Sequence, residues 1–410
     1  MTIWLVTSGE PIPSEKERPH RTGILAQKLS EEGHEVVWWT TTFDHQKKEY
    51  LYDKTYEEQV NPKLSRVYLH SKTPYKKNVS LSRIKNHYEV AVSFKKESRK
   101  RRLPDLIFCS FPTIDLAYES VRYGKGNGIP VVVDVRDLWP DIFLFPFSGV
   151  IKSVVKVFIK PFVNRTRYIF QNCYSITGVS DGYLNFGLNY GCRSRSINDR
   201  VFPLGYDDKG ISSVNVENID FTYLNIDFNR INVWFVGTFG QSYDLLTVID
   251  AAREIEKTDP QILFILTGDG EQMENWKNAS LGLNNIVFTG WVGKAELKYI
   301  SLNAHIGLMA YAKNAPQGLP NKIYEYMALG LPVLSSLQGE AKDLIESNGI
   351  GLTYEPQNPQ DFLKKLKEIT KNKKSLVDLK KKCRKVFEQK FNSSIIYNDL
   401  VSFLQTIATK

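Results

Sequence analysis

The chain has 410 residues, 42% hydrophobic and 24% charged, a balance that allows two packed domains and excludes a disordered or low-complexity chain. Its net charge of +9 points to an anionic partner: a nucleotide, a nucleic acid or acidic lipid headgroups. Four scattered cysteines, Cys109, Cys173, Cys192 and Cys383, form no C-x-x-C pair, which argues against a zinc module or a disulfide framework and fits a reducing compartment.

In chain order, an apolar run over 3–6 leads into a polar loop, then a helix predicted over 24–32, then a strand over 35–40, which together make a βαβ unit. The opening run is too short for a signal peptide, and no apolar stretch reaches the ~18 residues of a membrane span. Continuous apolar runs over 106–109 and 131–135 suit parallel strands buried on both faces. The same strand-loop-helix grammar returns at 233–237, 262–266, 286–288, 306–309 and 333–335. Between the two series, a polar and weakly periodic stretch predicts a hinge near 203–215. The expected architecture is α/β: two Rossmann-like, doubly wound parallel-sheet domains, 1–205 and 216–391, facing a central cleft, with a final helix from about 392 returning to the first domain.

The block from Pro316 to Leu334 reads as a glycine loop, a helix and a buried strand. Gly318 permits close backbone approach and Pro320 suits the first helical turn. The free amides there, with Leu319 and Asn321, face any anion above the helix. Lys322 adds a positive charge, and Glu325 lies one turn on along the same face, so the pair can hold phosphate and sugar hydroxyls respectively; plain α/β packing explains the same pattern. Glycine turns after apolar strands, Gly237-Thr238-Phe239-Gly240 and Gly268-Asp269-Gly270, present amides to a nucleotide. They lack the G-x-G-x-x-G form, which disfavours a nicotinamide enzyme, and no G-x-x-x-x-G-K-S/T loop is present.

These turns, the Thr289-Gly290-Trp291 turn and the block ending Glu325-Tyr326-Met327-Ala328-Leu329-Gly330-Leu331-Pro332-Val333 together resemble family 4 of the GT-B glycosyltransferases over nearly the whole chain. Within that family the chain is similar to bacterial enzymes of surface-polysaccharide and O-antigen assembly. The N-acetyl-L-fucosamine transferase-like branch shares the Pro-x-Lys-x-x-Glu-Tyr-Met-Ala block and an Arg-Asp-Leu-Trp-Pro motif, here at 320–328 and 136–140. The resemblance implies a retaining transferase using a nucleotide-diphosphate sugar, UDP-linked and N-acetylated, without a metal. In the family, Glu325 matches the ribose-binding glutamate, and its partner, separated from it by seven intervening residues and contacting the transferred sugar, is here Gln317. Relatives place a basic pair after the first glycine turn of this domain; Gly240-Gln241-Ser242-Tyr243-Asp244 has none, so the leaving diphosphate falls to Lys322 and the helix amides. Asp269 and Trp291 would border the base.

Many relatives carry His-Asp where this chain has Arg136-Asp137. A permanently protonated arginine is no general base but can stabilise phosphate charge, which makes Arg136 a catalytic candidate; a buried pair with Asp137 or Asp134 is the alternative. Gly9, Arg18, His20, Arg21 and Thr22 match the loop that touches diphosphate or acceptor in relatives.

Between Asp141 and Asp181 the chain has no acidic residue. Lys152, Lys156 and Lys160 recur every four residues beside the apolar positions Ile151, Val154, Val155, Phe158, Ile159 and Phe162, with Arg165 and Arg167 following. This predicts a helix lying on an anionic membrane surface; an apolar face packed on its own domain with solvated lysines is the alternative. A second basic run covers 95–102; neither run carries a nucleic-acid recognition motif. The resulting expectation is a cytoplasmic enzyme peripheral on the inner face of the cell membrane, with a lipid-linked saccharide as acceptor. A UDP-sugar 2-epimerase of the same architecture and a non-catalytic sugar-nucleotide binding subunit share the clamp. The former should need acid/base residues and no lipid-facing surface, and the latter would lose the phosphate charge.

Overall fold

The structure is a computed structural model that describes the chain except for residues 14–18, 79, 145–146, 314, 316–317 and 410. The chain divides into two compact units, Met1–Leu204 with Ile396–Lys410, and Gly205–Ile395.

In the first unit, eight strands form one sheet in the order Arg200–Val201, Ser175–Gly178, Val131–Val135, Leu106–Phe111, Thr2–Val6, Glu35–Thr41, Leu64–Leu69 and Tyr56–Asn61. All pairings are parallel except that of the edge strand Tyr56–Asn61, whose polar sequence gives no periodic signal and whose antiparallel partner is Leu64–Leu69. Inner strands such as Val131–Val135 are buried at every position, as continuous apolar runs require when helices cover both faces. Trp4, Trp39, Phe94, Ile107 and Val133 build the core on one face. On the other, the helix Arg21–Glu31 and the last helix supply Leu25, Leu29, Tyr397, Leu400 and Leu404. The last helix, Ser393–Ala408, thus belongs to the first unit from Ile396 onward.

In the second unit, six strands pair in parallel in the order Ile286–Gly290, Ile262–Thr267, Ile231–Val236, Ile306–Met309, Val333–Ser335 and Gly351–Thr353. Its core joins Val233, Phe235, Phe264 and Leu308 to Val248, Ile255, Phe362 and Leu366 of the covering helices. Residues 205–215, predicted as a hinge, pack with this unit and include the short helix Lys209–Ser212.

Candidate functional site

The helix Asn321–Ala328 starts from Pro320 in extended geometry; the Pro320 side chain offers no cap, and the amide of Ile323 donates to the Pro320 carbonyl at 3.2 Å. At the second position of the helix, Lys322 is 8% exposed, although lysine is seldom buried without a carboxylate. Its Nζ donates to the carbonyl of Val236, at the end of the strand Ile231–Val236, and sits over the rings of Phe235, Tyr243 and Tyr326 at 5.1, 5.8 and 5.9 Å. Among the described residues it has no ion pair. Burial, only partly offset by the field of Glu325, pushes its pKa down to about 8. The helix is pinned by Tyr326, whose hydroxyl donates toward the carbonyls of Trp234 (3.1 Å) and Leu308 (3.2 Å) and accepts from the amide of Val236 (3.3 Å).

The glycine turns are laced together beside this ammonium. The amide of Gly237 donates to Thr267, that of Gly268 to Gly290, and that of Phe239 to Asp269, at 2.8–2.9 Å. A Cβ on Gly268 would lie 1.8 Å from the Gly237 carbonyl oxygen, and one on Gly237 would lie 2.9 Å from Lys322 Nζ, so the turn needs glycine for space. The structure therefore brings Lys322, Gly237 and Gly268 together. Thr238, Asp269 and Asn321 are exposed at this edge, Gly240, Gly318 and Leu319 half-buried. Trp291 is 65% exposed. Glu325 is half-buried, and among the described residues its carboxylate has no hydrogen-bond partner. Gln317 lies outside the described residues. Sequence reasoning missed Phe235, Tyr243 and Tyr326, which box the ammonium; the aromatic spacing around the glycine turn was their signal.

In the first unit the structure corrects the opening loop. Arg21 and Thr22 open a helix instead of lying in a loop, and Arg21 is buried. Its Nε and Nη2 donate to Asp134 at 2.8 and 3.0 Å, and Nη1 donates to the carbonyl of Pro203. Glu10, overlooked in the sequence, accepts from the Thr22 amide and hydroxyl, both at 2.7 Å, and so caps that helix from a distance. Arg136 is committed too: its guanidinium donates to Asp134 (2.7 Å), Glu10 (2.5 Å) and Thr22 (3.0 Å). Burial alone would raise the Asp134 carboxyl, but Arg21 and Arg136 outweigh it and hold the group well below the usual carboxylate range. Arg136 thus takes the ion-pair alternative, with Asp134 as partner rather than Asp137. Asp137 accepts from the Leu138 amide and the Trp139 indole. Gly9 turns with φ of 77°, His20 precedes the helix, and Arg18 lies outside the described residues.

The helix Gly149–Asn172 is apolar on a side that no described residue of its unit covers: Val150, Ile151, Val154, Val157 and Phe158 are 50–80% exposed. Packing on the core of the sheet comes further along, at Phe162, Tyr168, Ile169 and Phe170. Lys156, Lys160 and Arg167 are exposed and Lys152 is half-buried. Arg165, expected on the same outer stripe, instead pairs with Asp115 at the start of the helix Ile114–Asn127. Among the described residues no helix is long and apolar enough to cross a membrane, and no group of three His, Cys, Asp or Glu side chains could hold a metal ion.

Residues 218–386, which include the Lys322 helix and all three glycine turns, match the family described as "Glycosyl transferases group 1". Over 210 residues the chain is 25% identical to "Amylovoran biosynthesis glycosyltransferase AmsK" of Erwinia amylovora, covering 47% of this chain and 52% of that one. The chain spans about half the length of the curated relatives it matches. Two solved structures align along both chains. Sucrose-phosphate synthase from Thermosynechococcus elongatus gives a TM-score of 0.69 at 16% identity, with 100% of each chain covered. Anabaena Alr3699/HepE, solved in complex with UDP-glucose, gives 0.63 at 17%, with 99% of this chain and 100% of that one covered. The matched residues thus sit in a chain with the GT-B fold, built from two units with parallel sheets.

Proposed function

We propose that the protein is a retaining family 4 transferase of the N-acetyl-L-fucosamine transferase-like branch. It moves a UDP-linked, N-acetylated sugar to a membrane-anchored polyprenyl-diphosphate saccharide during surface-polysaccharide assembly. The observation that carries the reading is Lys322: a buried ammonium that, among the described residues, has a backbone carbonyl and three ring faces but no ion pair, set against a glycine turn at the start of a helix. Such a charge is costly alone and favourable once an anion arrives. As the glycosidic C–O bond breaks, negative charge gathers on the leaving diphosphate and is met by Lys322 and the amides of Gly318 and Leu319, with no metal assigned to the step. Glu325 takes the ribose hydroxyls and Gln317 the transferred sugar. The acceptor hydroxyl attacks from the face the diphosphate leaves. Support for a UDP-sugar donor comes from the UDP-glucose complex of HepE, and support for the pathway from the amylovoran relative.

The exposed apolar face of residues 150–158, with Lys156 and Lys160 beside it, supports docking on the anionic inner face of the cytoplasmic membrane, where a polyprenyl acceptor resides. The test is to incubate the protein with a panel of UDP-sugars and lipid-linked saccharides, following free UDP and sugar-extended lipid by mass spectrometry. Extension that disappears in Lys322→Ala is the expected result. Sugar isomerisation without extension, or binding without either product, overturns it.

A further inference from the structure

The Arg-Asp-Leu-Trp-Pro motif has a use that Arg136 does not explain. Trp139 lies 4.8 Å beneath the guanidinium of Arg83, which is the third residue of the helix Leu81–Ser98, and its indole is fixed by Asp137 at 3.1 Å. On its other sides the guanidinium faces the ring of Tyr75 at 5.8 Å, and Nη1 donates to the carbonyl of Asn78 at 2.6 Å. The Arg83 Nε is buried with no acceptor. A second cation is tied to the same place: Lys48 Nζ donates to the Asn78 side-chain oxygen at 2.7 Å, lies 3.4 Å from His45 Nδ1 and stands 5.0 Å over the Tyr75 ring. The Tyr75 hydroxyl meets His45 Nδ1 at 2.7 Å, and His87 stacks toward Trp139 at 5.8 Å.

Neither cation has a carboxylate in ion-pair contact among the described residues; the fields of Asp137 and Asp44 reach Arg83 and Lys48 only from a distance. The acids around the cluster are already engaged. Asp44 accepts from the amides of Gln46 and Lys47, Asp137 from Leu138 and Trp139, and Glu89 from Lys72 and Thr73. Among the described residues neither Arg83 nor Lys48 makes an ion pair. Burial, joined by the positive field of Arg83, pushes His45 down to about 4 and His87 to about 3, so both rings are neutral donors or acceptors at pH 7. Gly9 of the opening loop closes one side, where its Cβ position lies 3.7 Å from His45 and a cavity of ≈ 20 Å³ is lined by Gly9, Glu10, Phe43 and His45.

We infer that Arg83, Lys48, Tyr75 and Trp139 form an anion site of the first unit that takes the phosphate or diphosphate ester of the acceptor. Two cations held together by one asparagine, one with an orphaned donor, provide the charge; the planar guanidinium matches phosphate oxygens, and the flanking rings provide an apolar wall. The identity of the ester rests on the transferase reading above; the site itself does not.

The experiment is calorimetric titration of the full chain and of Arg83→Gln and Lys48→Gln with three probes: farnesyl diphosphate, inorganic pyrophosphate and UDP. The expected result is that each variant, with an unchanged melting temperature, weakens farnesyl diphosphate by roughly tenfold or more and leaves UDP within about twofold. Arg83→Lys should recover part of the loss. Unchanged farnesyl diphosphate binding overturns the site. UDP weakened in step assigns the cluster to the donor and overturns the acceptor assignment, as does pyrophosphate binding as tight as that of the isoprenyl ester, which marks a site for free anions. A native chain that binds farnesyl diphosphate but never UDP leaves this site standing and removes the transferase reading.

Discussion

Both units bury cations at the carboxyl edge of a parallel sheet, and they treat them in opposite ways. In the first unit Arg21 and Arg136 surround Asp134, with Glu10, Thr22 and Thr177 taking up the remaining hydrogen bonds. Donors and acceptors there are matched, so the network is closed and holds the strand Val131–Val135 to the first helix. In the second unit Lys322 has one carbonyl and three ring faces. A closed network fixes structure, whereas an unmatched buried charge is a standing cost that a ligand can remove. The same residue class, read from sequence as catalytic in both places, therefore has two physical roles.

Asp134→Asn and Arg136→Met test the comparison most severely. Each leaves a buried charge unpaired and should cost about 3–5 kcal/mol of stability by denaturant titration. A loss under 1 kcal/mol with abolished transfer would return Arg136 to the catalytic set. Lys322→Met should do the reverse: transfer falls by about 100- to 1000-fold while the melting temperature is unchanged or higher.

The pH dependence separates the two further. A lysine whose pKa falls to about 8 on folding keeps its proton in the unfolded chain up to its ordinary value. The unfolded state then binds more protons between those two pH values, so Lys322 makes stability rise with pH across that window. A bound diphosphate favours the charged form, so UDP should bind with proton uptake near pH 8–9 and weaken above it. Calorimetry in two buffers of different ionisation enthalpy reads this directly. For Asp134, whose folded pKa is depressed, the stability it contributes is present above the ordinary carboxylate range and is lost as the pH falls below it.

Smaller effects sharpen the edges. Glu325→Gln should weaken UDP by about tenfold with stability within about 0.5 kcal/mol, since among the described residues its carboxylate makes no hydrogen bond or ion pair. Phe158→Glu should leave folding intact and lower partition onto anionic vesicles several-fold, about what removing one large apolar side chain from an interface predicts. If vesicle binding is unchanged, the apolar row of the helix Gly149–Asn172 serves something other than lipid.

The parallel strands, the glycine turns and the Lys322–Glu325 spacing were legible in the sequence, because continuous apolar runs and one-turn helical offsets are local signals with a physical period. The same held for the long basic helix, whose lysines every four residues mark one face. The edge strand Tyr56–Asn61 was not legible, since a polar strand exposed on both faces leaves no pattern. Nor could spacing say that Arg21 belongs to a helix, that Arg165 turns inward to Asp115, or that Arg136 chooses Asp134 over its neighbour in sequence. Those outcomes depend on which distant carboxylate reaches each cation: Asp134 is 113 residues from Arg21, and Glu10 is 126 from Arg136. The sequence by itself determined which residues carry charge and where strands end. Only the tertiary structure decided which of those charges are already satisfied, because pairing is settled by through-space distance and burial, quantities that a linear pattern does not contain.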